Sequence, residues 1–387
     1  MREKKVCRKM LLAVLLGAAL TILFSITAFA APGGLKQTRG SSSSISFTWN
    51  STYATKYDIA WSTNKSSWNY DYSYGVDGYL GGLNAGRTYY VKVREQNSSQ
   101  WSSTVAMVTS PDYTGSRQIY QTNATTSSVS IKWQKTSGAN RYLIETKLSN
   151  QNYVKKGVVK SNAATLKGLK SGQEYYVRIT PYRTSGSFNA MGYSFSTSDI
   201  KTVTGKVTGL KASEGSTSKL YFTWNRKTTV KGYQIELIAL KNNKKKYVNV
   251  QGSYPYQNVA VSEKTFYKAR IRSYILMSNN ARKYSAWSSY TYVCAQSSRL
   301  SGRQSGTSYT LSWSKVAGAT GYQVYISNNY RTGYRKLATT GSTSYKIRGL
   351  SRGNGYYIKL VPVKKVGGKV YRSTTNRYTN IYMSKYR

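Results

Sequence analysis

Leu83-Asn84-Ala85-Gly86-Arg87-Thr88-Tyr89-Tyr90-Val91-Lys92-Val93 is the stretch on which the reading of this chain turns. An apolar residue is followed six positions later by an aromatic one, then by apolar residues two and four beyond it. Successive side chains of a strand point to opposite sides, so Tyr89, Val91 and Val93 share one face and Tyr90 and Lys92 the other. The spacing returns as Leu169…Tyr175-x-Val177-x-Ile179, Val261…Tyr267-x-Ala269-x-Ile271 and Leu350…Tyr356-x-Ile358-x-Leu360. The four tyrosines stand 86, 92 and 89 residues apart, which makes the chain an array of similar units.

Two further landmarks keep that period. A tryptophan closes an alternating run at Ser46-Phe47-Thr48-Trp49, Ile131-Lys132-Trp133, Phe222-Thr223-Trp224 and Leu311-Ser312-Trp313. Eight or nine residues on, Tyr57, Tyr142, Tyr233 and Tyr322 each open another run. Clusters of Gly, Ser and Asn separate the runs, and no stretch after the first thirty residues has helical periodicity. Short antiparallel strands at this spacing predict two-sheet β-sandwiches. The tryptophan fills the space between sheets about 10 Å apart. The tyrosine row faces it, with the ring buried and the hydroxyl returned to backbone at a corner.

The Leu-x-x-Gly-x-x-Tyr-x-Val-x-Val run at Leu83–Val93 resembles the E–F corner and F strand of fibronectin type III domains. The four tryptophans resemble that family's strand-B tryptophan, and Tyr57, Tyr142, Tyr233 and Tyr322 its strand-C tyrosine. The resemblance implies an all-β chain of four tandem immunoglobulin-like (fibronectin type III) β-sandwiches behind an N-terminal signal peptide. The expected units are 31–110, 111–204, 205–294 and 295–387. The third copy departs most, lacking the corner glycine and carrying Ala269 on its F strand. The family's usual proline after the corner leucine is missing throughout, and there is no Arg-Gly-Asp. These departures argue against close kinship with animal matrix proteins, and the expectation is a secreted bacterial surface or matrix protein. Short junctions at Thr109-Ser110-Pro111, Thr204-Gly205-Lys206 and Ala295-Gln296-Ser297-Ser298 predict an extended array.

The first thirty residues read as the signal peptide. Arg2, Lys4, Lys5, Arg8 and Lys9 precede an uncharged apolar run that ends in Ala28-Phe29-Ala30, a small-x-small cleavage pattern. The run is also long enough to anchor the chain uncleaved. Gly17, Ser25 and Thr27 dilute it, and cleavage is the expectation. With the leader removed, no other stretch has spanning length, and no sorting pentapeptide or lipid-bearing cysteine points to covalent attachment. Cys7 leaves with the leader, so Cys294 has no intramolecular partner and is expected as a small buried apolar residue.

Charge is the most unusual bulk property: 58 Lys and Arg against 12 Asp and Glu, a formal +46. It rises along the units, from +3 to +9 to +13, and the last has 17 basic residues and no acidic one. A field of that size draws polyanions. The expected partner is therefore an anionic wall or matrix polymer, a teichoic acid or glycan, met mainly by the fourth unit. A protein partner is also open, and nucleic acid enters only as a non-specific polyanion. Scattered lysines also keep a β-protein soluble and discourage edge pairing, which needs no ligand.

Catalytic chemistry finds little material. Histidine is absent, which removes the commonest general base and metal ligand. Asp71 and Asp77 form the only close carboxylate pair, without the constellation that a glycosidase or calcium site needs. No enzyme activity, cofactor or metal is expected. Binding residues are easier to nominate. The outward F-strand sets are Tyr90, Lys92 and Arg94; Tyr176 and Arg178; Phe266, Lys268, Arg270 and Arg272; and Tyr357 with Lys359. Asp58, Glu145 and Glu236 on the neighbouring strand answer the first three sets, whereas no acid answers Lys359. Lys364, Lys365 and Lys369, around Gly367-Gly368, form a basic hairpin tip, and Lys241–Lys246 forms another. Trp68, Tyr70, Tyr72 and Tyr74 alternate on one parity, as either an exposed glycan platform or a packed strand face. The chain therefore reads as an extracellular binding or spacer protein. A carbohydrate-binding module and an extracellular nucleic-acid binder are the alternatives.

Overall fold

The computed structural model describes residues 30–112, 115–216, 218–252, 254–295, 300–374 and 376–386. The expected leader falls almost wholly outside them, as does most of the junction after Ala295. Among the described residues no helix forms, and none is therefore long and apolar enough to cross a membrane.

The strands follow the landmarks. The first unit contains β1 (Lys36–Gly40), β2 (Ile45–Thr48), β3 (Tyr57–Ser62), β4 (Asn69–Ser73), β5 (Asp77–Leu80), β6 (Thr88–Glu95) and β7 (Val105–Val108). The second has β8 (Ile119–Ala124), β9 (Val129–Trp133), β10 (Arg141–Lys147), β11 (Val154–Val159), β12 (Ala163–Leu166), β13 (Glu174–Ser185), β14 (Phe188–Met191) and β15 (Phe195–Lys201). The third has β16 (Lys211–Ser216), β17 (Lys219–Thr223), β18 (Gly232–Ala239), β19 (Lys245–Gln251), β20 (Tyr256–Ala260), β21 (Thr265–Leu276), β22 (Arg282–Tyr284) and β23 (Thr291–Ala295). The fourth has β24 (Ser301–Ser305), β25 (Ser308–Ser312), β26 (Gly321–Ser327), β27 (Arg335–Thr340), β28 (Ser344–Ile347), β29 (Gly355–Val366), β30 (Lys369–Arg372) and β31 (Arg377–Tyr382). Each unit packs a three-stranded sheet, β1-β2-β5 in the first, against a larger one, β4-β3-β6-β7 in the first. The result is four tandem fibronectin type III-like sandwiches, all antiparallel within each sheet.

Tryptophan and tyrosine do what their spacing predicts. Trp49, Trp133, Trp224 and Trp313 are buried, each with its ring edge-on to the strand-C tyrosine at 5.1–5.3 Å. Those tyrosines bury their rings and accept a backbone N–H with the hydroxyl, from Thr52, Thr136, Lys227 and Val316. At the other corner the hydroxyls of Tyr89, Tyr175, Tyr267 and Tyr356 accept the N–H five residues upstream, at 2.7–3.0 Å. Each bond satisfies a polar group that burial of the ring would otherwise strand.

The junctions are built by one strand. The F strand β6 has 8 residues, whereas β13, β21 and β29 have 12 each. The extra length carries a hairpin back onto the preceding sandwich. From the β13–β14 hairpin, Arg183 donates to the Thr88 hydroxyl (3.0 Å) and Ser185 to the Ala106 carbonyl (2.8 Å). Beneath it Gly86 and Gly138 meet backbone to backbone at positive φ, and a Cβ on Gly86 would lie 2.5 Å from the Gly138 Cα. Ile275 of β21 enters the second sandwich's core, and the Ser278 hydroxyl accepts the Gln121 N–H (2.7 Å). From the β29–β30 hairpin, Tyr371 stacks on Tyr292 at 4.3 Å and Thr374 donates to the Tyr292 carbonyl.

The third junction is also a shared core. Phe266, expected on the outward stripe beside Lys268, does point away from its own core, but the fourth sandwich covers it completely. Cys294 is buried in the same cluster, and its amide donates to the Ser373 hydroxyl.

Candidate functional site

In each larger sheet the C strand lies beside the F strand, so one register fixes which residues meet on the outer face. Asp58 faces Arg94, Glu145 faces Arg178, Glu236 faces Arg270, and Tyr325 faces Lys359. The first three rungs are ion pairs, at 3.0 Å for Asp58–Arg94 and 2.8 Å for Glu145–Arg178. Both are partly exposed, where such a pair contributes about 0–1 kcal/mol.

Glu236 differs from the other two acids. Its side chain is 1% exposed, and besides Arg270 it accepts the hydroxyls of Tyr247 (3.0 Å) and Tyr290 (3.1 Å). Burial pushes its pKa up, but hydrogen bonds from Arg270, Tyr247 and Tyr290 outweigh that and hold the carboxyl below its ordinary value. The cations above it are layered with rings. Arg270 lies 4.5 Å from the Trp287 ring centroid, and Arg272 lies between Trp287 (4.3 Å) and Tyr284 (3.6 Å).

The fourth sandwich keeps the cation and loses the acid. Lys359 sits 4.8 Å from the ring centre of Tyr325 and 4.7 Å from that of Tyr334, so aromatic faces take the place of a carboxylate. Beside it Tyr330, Arg331, Tyr334, Tyr357, Tyr378 and Asn380 line an open groove of about 600 Å3. Two of the nominated residues, Tyr357 and Lys359, thus come together, two positions apart on β29. Tyr330, Tyr334 and Tyr378 join them from the loop after β26 and from β31, strands that no local spacing links.

Lys364, Lys365 and Lys369 do not belong to this face. They lie at the far end of β29 and in β30, where Val366 pairs with Lys369 in the hairpin that leans on the third sandwich. Lys241, Lys244, Lys245 and Lys246 rim a different opening of about 580 Å3, between the two sheets of the third unit over Leu237, Ala239 and Tyr267.

In the first sandwich the segment from Trp68 to Tyr74 is an outward face. Tyr70, Tyr72 and Tyr74 are 68%, 56% and 74% exposed, and Trp68 is half-buried. Tyr72 lies across from Asp58, and Tyr70 across from Ala60, which itself faces Lys92. Ala60 stands where the second and third units have Glu145 and Glu236. With no acid there, Lys92 lies between Trp68 (4.1 Å) and Trp101 (4.7 Å).

Trp101 and Trp287 were missed in the sequence, although a signal exists: Ser99-Gln100-Trp101-Ser102-Ser103 and Ser285-Ala286-Trp287-Ser288-Ser289. The serine after each tryptophan replaces a strand partner. The Val93 amide donates to the Ser102 hydroxyl and the Ser102 amide to the Val93 carbonyl, and Ile271 and Ser288 repeat the exchange. That local departure from regular pairing turns the tryptophan over the F-strand cations.

Comparison with known proteins bears on architecture alone. No protein-family model matches the chain, and no curated protein matches it. Among solved structures it is similar to the FN1-FN3 domains of chicken CNTN1, at 16% identity over 69% of this chain and 99% of that one, with a TM-score of 0.31. It is likewise similar to a two-domain fibronectin type III segment of chicken tenascin, at 16% identity over 48% of this chain and 99% of that one, with a TM-score of 0.27.

Proposed function

We propose that this chain is a secreted, non-catalytic binding and spacer protein of a bacterial surface or matrix, held to anionic wall or matrix polymers by its fourth sandwich. The observation that carries the reading is the acid-free outer face of that unit. Lys359 lies between the rings of Tyr325 and Tyr334 with no acid on its rung, Arg331 and three more tyrosines line the groove beside it, and residues 295–387 contain no carboxylate side chain. Rings beside a cation suit a sugar bearing phosphate or sulfate, because the charge holds the anion while the ring face takes the sugar. The lack of histidine supports a non-catalytic role. Extracellular nucleic acid meets the same field, with stacking that tolerates any base.

The test is retention of the leaderless chain on immobilised teichoic acid, heparin and DNA across a salt gradient, with Lys359→Gln/Arg331→Gln beside it. Preference for one polymer, and elution of the variant at clearly lower salt, are the expected results. Equal elution of the variant and the parent chain sinks the assignment to this face. Removal of residues 295–387 is the wrong experiment, since it bares Phe266 and Cys294.

A further inference from the structure

We infer that the outer sheet of the first sandwich is a second binding site, for a neutral, ribbon-like polysaccharide. Its rings form two neighbouring groups on one face of the sheet, met at Tyr70 and Tyr72. Tyr74 and Tyr72 meet edge to face at 5.6 Å, and Tyr70 reaches Trp101 at 6.4 Å. Lys92 then links Trp101 to Trp68. Tyr70 and Tyr72 are alternate residues of the edge strand β4, so their Cα positions stand about 6.6–6.8 Å apart along the strand, on one face. Such a row suits an extended chain laid along the strand better than a compact ligand entering a pocket.

The occupant follows from charge and chemistry. This is the least charged unit, at +3, and Asp71 and Asp77 lie within and beside the aromatic segment, so a polyanion gains little here. The cations are already engaged: Arg94 with Asp58 and Trp101, Lys92 with two tryptophans, and Lys56 with Tyr72 (4.2 Å) and Tyr74 (5.3 Å). They hold the rings in place, and the four carboxylates of this unit offset most of its seven cations. What remains is a set of electron-rich ring faces edged with phenol hydroxyls. A pyranose presents the complement, with C–H groups of slight positive charge on its flat face and hydroxyls around its rim.

The other units lack the feature. The matching edge strands read Val-Lys-Lys-Gly-Val-Val in β11 and Arg-Lys-Leu-Ala-Thr-Thr in β27. The one tyrosine of β19, Tyr247, is bonded to Glu236. Exposed rings alternating along this edge strand occur in one of the four units, and a contiguous apolar patch of that kind is the pattern of a binding site rather than of solubility or folding.

The experiment titrates the whole leaderless chain with cellohexaose, chitohexaose and mannohexaose, followed by calorimetry and tryptophan fluorescence. Variants are Tyr70→Ala/Tyr72→Ala and, as an exposed control on another unit, Tyr254→Ala, whose ring is 64% exposed. Saturable binding of at least one hexasaccharide is expected, unchanged between about 50 and 500 mM salt because the sugar carries no charge to screen. The double variant should weaken it by about tenfold or more with thermal unfolding unaltered, while Tyr254→Ala leaves it intact. Failure of all three sugars to bind overturns the proposal, and so does binding that survives the double variant or vanishes with salt. None of these outcomes touches the polyanion reading of the fourth unit.

Discussion

The third and fourth sandwiches meet the same problem on the same rung and solve it differently. Strand C of the third places Glu236 against Arg270, and strand C of the fourth places Tyr325 against Lys359. In the third the cation is neutralised by a buried acid that also holds two tyrosine hydroxyls. In the fourth it is only solvated by rings, which stabilise a cation without cancelling its charge. The difference teaches that a repeated scaffold separates stability from surface charge: the rung can be structural in one copy and available for binding in the next.

The comparison is broken most forcefully at the boundary between the two. Phe266 belongs to the third sandwich by sequence and to the fourth by packing. Phe266→Ala should cost about 3–5 kcal/mol, the usual range for a buried phenylalanine. The loss should appear as destabilisation of both units in thermal unfolding. If only one unit responds, the shared core is not the cooperative joint described above.

Next in size is Glu236→Gln, expected to cost about 3 kcal/mol, since removing one partner leaves Arg270 without its counter-charge in a poorly hydrated site. The parent chain carries a related pH signature. The carboxyl's folded pKa lies below its unfolded value near 4.3, so its contribution is complete above that value and is lost as pH falls through the lower, folded one. Denaturant unfolding from pH 7 to pH 3 should show this loss in the parent and less of it in Glu236→Gln.

Smaller effects sharpen the contrast. Tyr267→Phe and Tyr356→Phe each remove one corner hydrogen bond, and both should cost about 1 kcal/mol. Equal costs would show that the two scaffolds are alike and that only the rung differs. Finally, Tyr325→Glu makes the fourth rung imitate the third. On a half-exposed surface it should change stability by less than about 1 kcal/mol, yet lower the salt needed to elute the chain from anionic polymers. Unchanged elution would mean that Lys359 is not the charge the polymer meets.

Much of the site was legible because strands obey a period of two. That period places Tyr357 and Lys359 on one face, and it places Trp68, Tyr70 and Tyr72 on one face. It does not say whether a given face meets solvent, which is why the Trp68–Tyr74 segment was open to two readings and why Phe266 was misplaced on an exposed stripe. Lys364, Lys365 and Lys369 were legible as a hairpin tip from Gly367-Gly368, and even Lys364, on the strand of Lys359, is five residues and about 16 Å along the sheet from it.

What the sequence determined by itself is the repeat, the two-sheet sandwich, the return of a buried tyrosine's hydroxyl to backbone at a corner and the three acid–cation rungs. These depend on contacts whose register is set by alternation and by spacing within one unit. Only the tertiary structure decided how the units join and what the outer faces become. The reach of β13, β21 and β29 over the preceding sandwich, the burial of Phe266 and Cys294, and the meeting of Tyr330, Tyr334 and Tyr378 in the groove beside Lys359 all join residues of distant segments. Such contacts depend on where whole strands end and which surfaces they cover, and the alternation of side chains along a strand carries no record of either.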